Sequence, residues 1–319
     1  RRPGGGEGRV TTTLKNYGGV STQLANHVDI STVEKGDPLW CARFLVTDKQ
    51  AVINTHRDYV RAGSDIIETN SYQASIPGFM KYLNLSFEES VALLQESVSL
   101  AKQYASIYLR KYSRNNIDDK MQKLFAGSCG SYGAFLHDGS EYRGDFMDRV
   151  SVEEITSFHE QRMKALVDAN VDLLAIETIP TQAEAEILTE LLKKFPGIKA
   201  WIAFSVKDES HLSCGDDFVK AAMSVWSKNP EQLIAVGVNC LNPNFVSPLV
   251  SPIVKQIPII AYPNKGELWD DGENVRPLID YVSDWLDLGV SYIGGCCRTS
   301  ASDIADFRQL IDSRIKGSK

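Results

Sequence analysis

The sequence predicts an α/β fold, a single-domain (β/α)8 TIM barrel, on three observations. Seven short β-rich runs recur along the 319 residues, with an eighth, weaker candidate near the start. Amphipathic stretches with capping signals separate them. Several runs are almost continuously apolar, as in parallel strands covered on both faces. Eight such units close into a barrel, with an open doubly wound sheet as the alternative.

In chain order, residues 1–9 are glycine-rich and read as a flexible segment ahead of a barrel domain over 10–319. Their glycines precede any strand, which argues against a phosphate-binding loop. The weak first strand lies in "VTTTLKNYGG" (10–19), β-branched but with Lys15 and Asn16 as odd occupants of a barrel wall. "TDKQAVINTHRDYVRAG" (47–63) reads as a helix opening on a Thr47 cap and stopping at Gly63. "SDIIETN" (64–70) is the second strand, and "SFEESVALLQESVSLAKQYASIYLRKY" (86–112) a helix whose Ser86 and Glu89 form a capping box. "KLFAGSCG" (123–130) is a strand, and "SVEEITSFHEQRMKALVDAN" (151–170) repeats the Ser-x-x-Glu opening. "VDLLAIET" (171–178) precedes the helix "TQAEAEILTELLKKFPG", which ends on a Pro-Gly stop. The remaining strands are "KAWIAFSV" (199–206), "QLIAVGVN" (232–239), "IPIIAYPN" (257–264) and "VSYIGGCC" (290–297). No linker divides them.

The composition is that of a globular protein, 43% hydrophobic and 24% charged. A net charge of −7 argues against nucleic acid or an anionic membrane as partner. No apolar run approaches the roughly 20 residues of a membrane span. Six cysteines in this length are no disulfide scaffold, so the expected setting is reducing and cytoplasmic, with free thiols.

Catalytic residues of such barrels gather at the C-terminal ends of the strands. Ring closure brings the last strand near the sixth, so Cys240 can meet the pair Cys296 and Cys297 over one mouth. Adjacent cysteines make a poor disulfide, because the small ring conflicts with the usual Cα separation. Three thiolates suit Zn²⁺ and leave one coordination position open. An anionic three-sulfur set activates water poorly but suits an incoming thiol, which points to alkyl transfer onto sulfur. The bland reading is packing, since buried free cysteines are common. That reading is kept for Cys41, Cys129 and Cys214.

The motifs "GGCCRT" (294–299), "VGVNC" (236–240), "ETNSYQAS" (68–75), "GSYGAFLHDGSEYRGDF" (130–146), "AIETIP" (175–180) and "AYPNKGELWD" (261–270) carry a resemblance. In family order, they resemble the homocysteine S-methyltransferases, and among them the branch that uses S-methylmethionine or S-adenosylmethionine. The resemblance implies one zinc held by Cys240, Cys296 and Cys297, and methyl transfer from a sulfonium donor to homocysteine, giving methionine. It also implies that Glu177 receives the homocysteine ammonium. Gly18 and Gly19 would admit the amino acid close to the backbone, and Asn70 and Asn239 would complete the substrate site. No separate catalytic acid or base is implied, and the oligomeric state is left open. The family's Asp before the glycine pair is Tyr17 here, which predicts an altered homocysteine pocket.

Three rival readings follow: selenocysteine as acceptor, a thiol-binding barrel with turnover impaired at Tyr17, and a hydrolase using Glu68 and Glu177. "EYRGD" (141–145) reads either as a salt-bridged surface loop or as part of a lid over the methyl donor. His56 and His159 are expected to be exposed or hydrogen-bonded on surface helices.

Overall fold

The computed structural model describes residues 13–16, 19–28, 36–113, 123–265 and 276–317. The N-terminal segment 1–9, the start of the first strand, Tyr17 and Gly18 lie outside these, as does 266–270 of the "AYPNKGELWD" motif. Eight parallel strands close into a barrel in chain order. They are β1 (Thr13–Asn16), β2 (Ile66–Glu68), β3 (Leu124–Cys129), β4 (Leu173–Ile179), β5 (Lys199–Phe204), β6 (Leu233–Asn239), β7 (Ile259–Tyr262) and β8 (Tyr292–Ile293). Closure runs through β1, which pairs Thr13 with Tyr292 of β8 and Lys15 with Ile66 of β2. Every strand read from the sequence is present, and the polar first strand takes its place in the wall.

Strand alternation sorts the barrel wall into two cores. One residue in two points outward and packs under the helices, in a cluster holding Ile67, Leu174, Ile176, Ile202, Val236, Val238 and Ile259. The inward set is Ile66, Ala126, Leu173, Ala175, Trp201, Ala203, Ala235, Ile260 and Tyr262. The same period continues that inner row upward, through Glu68, Ser128, Glu177 and Asn239, all fully buried. The top layer of the interior is therefore polar, directly beneath the C-terminal mouth.

The helices begin as their capping residues dictate. Ser86 and Glu89 make the reciprocal box, Glu89 N donating to Ser86 Oγ (3.2 Å) and Ser86 N to Glu89 Oε2 (2.8 Å). The helix Lys49–Ala62 is capped by Asp48, whose Oδ1 accepts from Ala51 N, rather than by Thr47. An aspartate one residue on is the stronger acceptor. In the helix Val152–Asp168, Ser151 caps Glu154 N, but the Glu154 carboxylate accepts from the Tyr132 hydroxyl instead of closing the box.

His56 corrects the expectation of an exposed or hydrogen-bonded imidazole and His159 meets its second half, both on helix faces turned to the barrel. His159 is fully buried, its Nε2 2.9 Å from Glu184 Oε1. His56 is fully buried with neither ring nitrogen hydrogen-bonded. Burial holds its pKa down to about 4. Unfolded, the ring takes up a proton below about pH 6.5. The stability it confers is thus complete above about pH 6.5 and is lost as the pH falls towards 4, by up to about 3 kcal/mol. Urea melts of the wild type and His56→Leu should show the variant with a shallower loss across that window; parallel curves would refute the assignment.

Candidate metal and substrate site

Three loops at the ends of β6, β7 and β8 bring the thiols together. Cys240 follows β6 at φ +54°, a left-handed conformation that turns the chain off the strand, and its N–H donates to Tyr262 O (3.2 Å). Cys296 N donates to Pro263 O (2.7 Å), and Cys297 N to Asn264 Oδ1 (3.2 Å). The residues after β7 thus lace both cysteine loops. Gly295 is required by closeness, because a Cβ there would strike the Thr299 side chain. Thr299 in turn closes the turn, its hydroxyl donating to Cys296 O (2.6 Å).

The three sulfurs lie within 4.8 Å of one another. Cys240 and Cys296 are bonded as a disulfide with Cα atoms 5.4 Å apart, while the Cys297 sulfur stands free, 4.0 Å from that of Cys296. The expectation of three free thiols is thereby corrected. The adjacent pair, Cys296 and Cys297, is the one that does not join, as its small ring predicts. Reduced, the same three atoms form a soft donor set suited to a thiophilic ion.

The thiols open on a cavity of about 420 Å³, also lined by Gly19, Asn70, Tyr72 and Thr178. Gly19, at φ +25°, starts the helix Val20–Leu24, where a side chain would collide with Thr22. Thr22 Oγ1 accepts from Arg298 N (3.0 Å), tying this first loop to the cysteine turn. Asn70 donates to Cys41 O (2.9 Å). Cys41 faces the cavity rather than serving as packing alone, and burial pushes its thiol up to about 12. Of the other two, Cys129 is buried in the core, whereas Cys214 is exposed.

Glu177 is fully buried in the floor. Ser128 Oγ donates to its Oε1, and the Tyr262 hydroxyl to its Oε2 (3.1 Å). Trp201 Nε1 donates to the Tyr262 oxygen (3.3 Å). Burial, then the Glu177 and Glu68 carboxylates, hold the Tyr262 hydroxyl well above its ordinary pKa, so it remains a donor. Ser128 and Trp201 were missed from the sequence; counting by twos from Ala126 and from Ala203 would have found them. Asn239 does not line the cavity. Its Oδ1 accepts from Thr178 N (2.9 Å) and its Nδ2 donates to Thr178 Oγ1 (2.7 Å). These bonds hold Thr178 at φ +56°, a conformation a β-branched residue adopts only under constraint.

A parallel barrel with three convergent sulfurs and a buried carboxylate at its C-terminal mouth defines an enzyme class that works on a thiol. The sequence profile described as Homocysteine S-methyltransferase matches residues 17–311. The chain is 43% identical over 320 residues to the betaine-homocysteine S-methyltransferase of Drosophila melanogaster, covering 94% of each. It is 38% identical to the selenocysteine Se-methyltransferase of Brassica oleracea var. italica, over 93% of this chain and 88% of that one. The metallated form of the Escherichia coli homocysteine methyltransferase MmuM superposes with a TM-score of 0.81 at 36% identity, over 94% of this chain and 96% of that one. The chain belongs to the homocysteine S-methyltransferase family, and its chemistry is methyl transfer to homocysteine.

Proposed function

We propose that this single-domain barrel transfers a methyl group from S-methylmethionine or S-adenosylmethionine to L-homocysteine, at one zinc ion held by Cys240, Cys296 and Cys297. The observation that carries the reading is the convergence of three sulfurs within 4.8 Å at the mouth of the cavity. The metallated state of MmuM supports a metal there, and a three-sulfur set favours zinc among the common ions. Bound zinc would supply a Lewis acid that lowers the substrate thiol's pKa and holds it as thiolate.

The chain's own residues then place the reactants. Glu177 is the receptor for the homocysteine ammonium, pre-oriented by the Ser128 and Tyr262 hydroxyls. Asn239 acts through Thr178, fixing the backbone that follows Glu177. Asn70 and Gly19 line the wall against which the amino acid lies. The thiolate pair forms the new S–CH₃ bond as the old C–S bond breaks, its electrons remaining on the donor sulfur. No proton moves in this step, so the reading needs no catalytic histidine. Opposite charges disappear together, which a cavity with little water favours over separated ions.

Among the described residues no helix is long and apolar enough to cross a membrane. A reducing, cytoplasmic setting fits a centre that must keep three thiols free. Selenocysteine is the alternative acceptor, favoured by the likeness to the Brassica enzyme. The impaired-pocket rival predicts bound zinc without product, through Tyr17.

The test is methionine formation by reduced protein from homocysteine, with S-methylmethionine, S-adenosylmethionine or betaine offered separately, before and after metal removal. Product from a sulfonium donor, lost on chelation and restored by zinc, is expected. Turnover with betaine alone would overturn the donor assignment, and turnover that survives chelation would overturn the zinc.

A further inference from the structure

The loop after β3 holds a carboxylate that nothing in the described fold explains. "EYRGD" contains one arginine and two acids, and its surface reading has them pair among themselves. Arg143 and Asp145 do pair, 3.4 Å apart at Asp145 Oδ2, and Arg143 also turns outward to Asp138, 3.9 Å from its Oδ1 and donating to its O (3.1 Å). Arg149 joins the same outer group, 3.6 Å from Asp145. Glu141 takes no part. It lines the cavity that holds the thiols, and its Oε2 is buried without a hydrogen-bond partner. Burial, with Asp138 adding to it, raises its pKa, against a hydrogen bond to its own backbone N–H and the pull of His137 and Arg143.

The loop is built to keep Glu141 there. Ser205, just past β5, donates its hydroxyl to Glu141 O (2.8 Å), so the backbone is pinned across two strands. Gly144 N donates to Ser140 O (2.7 Å) and closes the turn around it. Tyr142, about half exposed, and Trp40, also half exposed, complete this side of the cavity. A carboxylate oxygen buried without a partner costs free energy unless a donor arrives.

We propose that Glu141 receives the α-ammonium of the methyl donor, so that the enzyme selects an amino-acid sulfonium over donors that lack an N–H cation. The inference rests on the methyl-transfer reading above. Glu177 lies in the barrel floor and serves the acceptor. In-line transfer puts the donor on the far side of the acceptor sulfur, towards the rim, where Glu141 sits. Its partner is the ammonium rather than the sulfonium. The sulfonium loses its charge as the methyl leaves, so a carboxylate beside it would stabilise the ground state more than the transition state. The ammonium keeps its charge throughout, and binding it there is uniform. S-methylmethionine and S-adenosylmethionine both carry that group and a net positive charge. Betaine is neutral overall, and its quaternary nitrogen has no hydrogen to donate.

The experiment compares wild type, Glu141→Gln and Glu141→Asp as reduced, zinc-loaded proteins. Two readouts are used: steady-state kinetics, and calorimetric binding of S-methylmethionine and of dimethylsulfoniopropionate, a sulfonium without an amine. Glu141→Gln should raise the S-methylmethionine KM and Kd by about 10- to 100-fold, as for loss of a charged hydrogen bond. The homocysteine KM should hold, and dimethylsulfoniopropionate binding should stay level or tighten. Glu141→Asp should recover part of the loss. An equal loss for both sulfonium ligands, or no loss for either, would overturn the assignment. Absence of product from wild type with every donor would count against the methyl-transfer reading instead, and the binding contrast would still decide Glu141.

Discussion

Cys297→Ser is expected to remove the metal and methyl transfer together. Bound zinc should fall from one per chain to a trace, and methionine formation by about 100-fold or more, since even indirect supports of a metal ligand are worth about 10- to 100-fold. Serine oxygen is a hard donor that stays protonated at neutral pH, so a two-sulfur remnant is left. That remnant is the pair already joined as a disulfide, Cys240 and Cys296. The substitution should therefore also favour the oxidised form. Cys297 is exposed, and its turn is held through its backbone, by Asn264 Oδ1 and by Lys265 N donating to Cys297 O (3.1 Å). The melting temperature of the metal-free protein should accordingly be unchanged. Metal analysis and the donor assay on reduced protein decide it. A variant that keeps one zinc and full activity would end the three-cysteine assignment.

The barrel was legible because its walls are written in runs that only parallel, doubly covered strands use. "VDLLAIET" and "KAWIAFSV" carry that signature plainly, and even the polar "TLKN" found its place, because β1 needs only to bridge two neighbours. The metal set was legible because ring closure makes distant strand ends adjacent. Side-chain roles were less so. Asn239 stands one residue before a cysteine in sequence, yet its amide holds Thr178 and does not reach the cavity. Cys41 looked like packing, yet the short turn Trp40–Arg43 brings it to the cavity wall. His56 was expected to be exposed or hydrogen-bonded and is neither, because helix periodicity shows that one face is buried but a single imidazole does not reveal which. These outcomes depend on contacts between segments far apart in the chain, which local patterns do not encode.

The same holds for Arg162, in the helix Val152–Asp168, whose substitution should cost more than that of any surface charge. Only 2% exposed, it lies under the mouth and donates to three carbonyls: Gly130 O (2.9 Å) from Nη1, and Ser71 O (3.1 Å) and Tyr72 O (2.8 Å) from Nη2. Those carbonyls belong to the loops after β2 and β3, where Tyr72 lines the cavity and Glu141 follows further along. The Phe158 ring lies 5.4 Å from the guanidinium carbon. Arg162→Met keeps the apolar stem but leaves the three acceptors without this donor. A hydrogen bond from a charged donor is worth about 1.5–3 kcal/mol, and with three lost together and not fully additive the expected loss is about 3–5 kcal/mol. Arg162→Lys should recover little, because an ammonium cannot span two loops as a planar fork does. Both variants should also raise the KM for substrate in protein that is still folded, as the β2 and β3 loops loosen. Chemical denaturation and kinetics below the melting range test the two effects separately. A loss of under about 1 kcal/mol in Arg162→Met, the level of an ordinary exposed ion pair, would mean that water replaces the guanidinium and that the loops hold themselves in place.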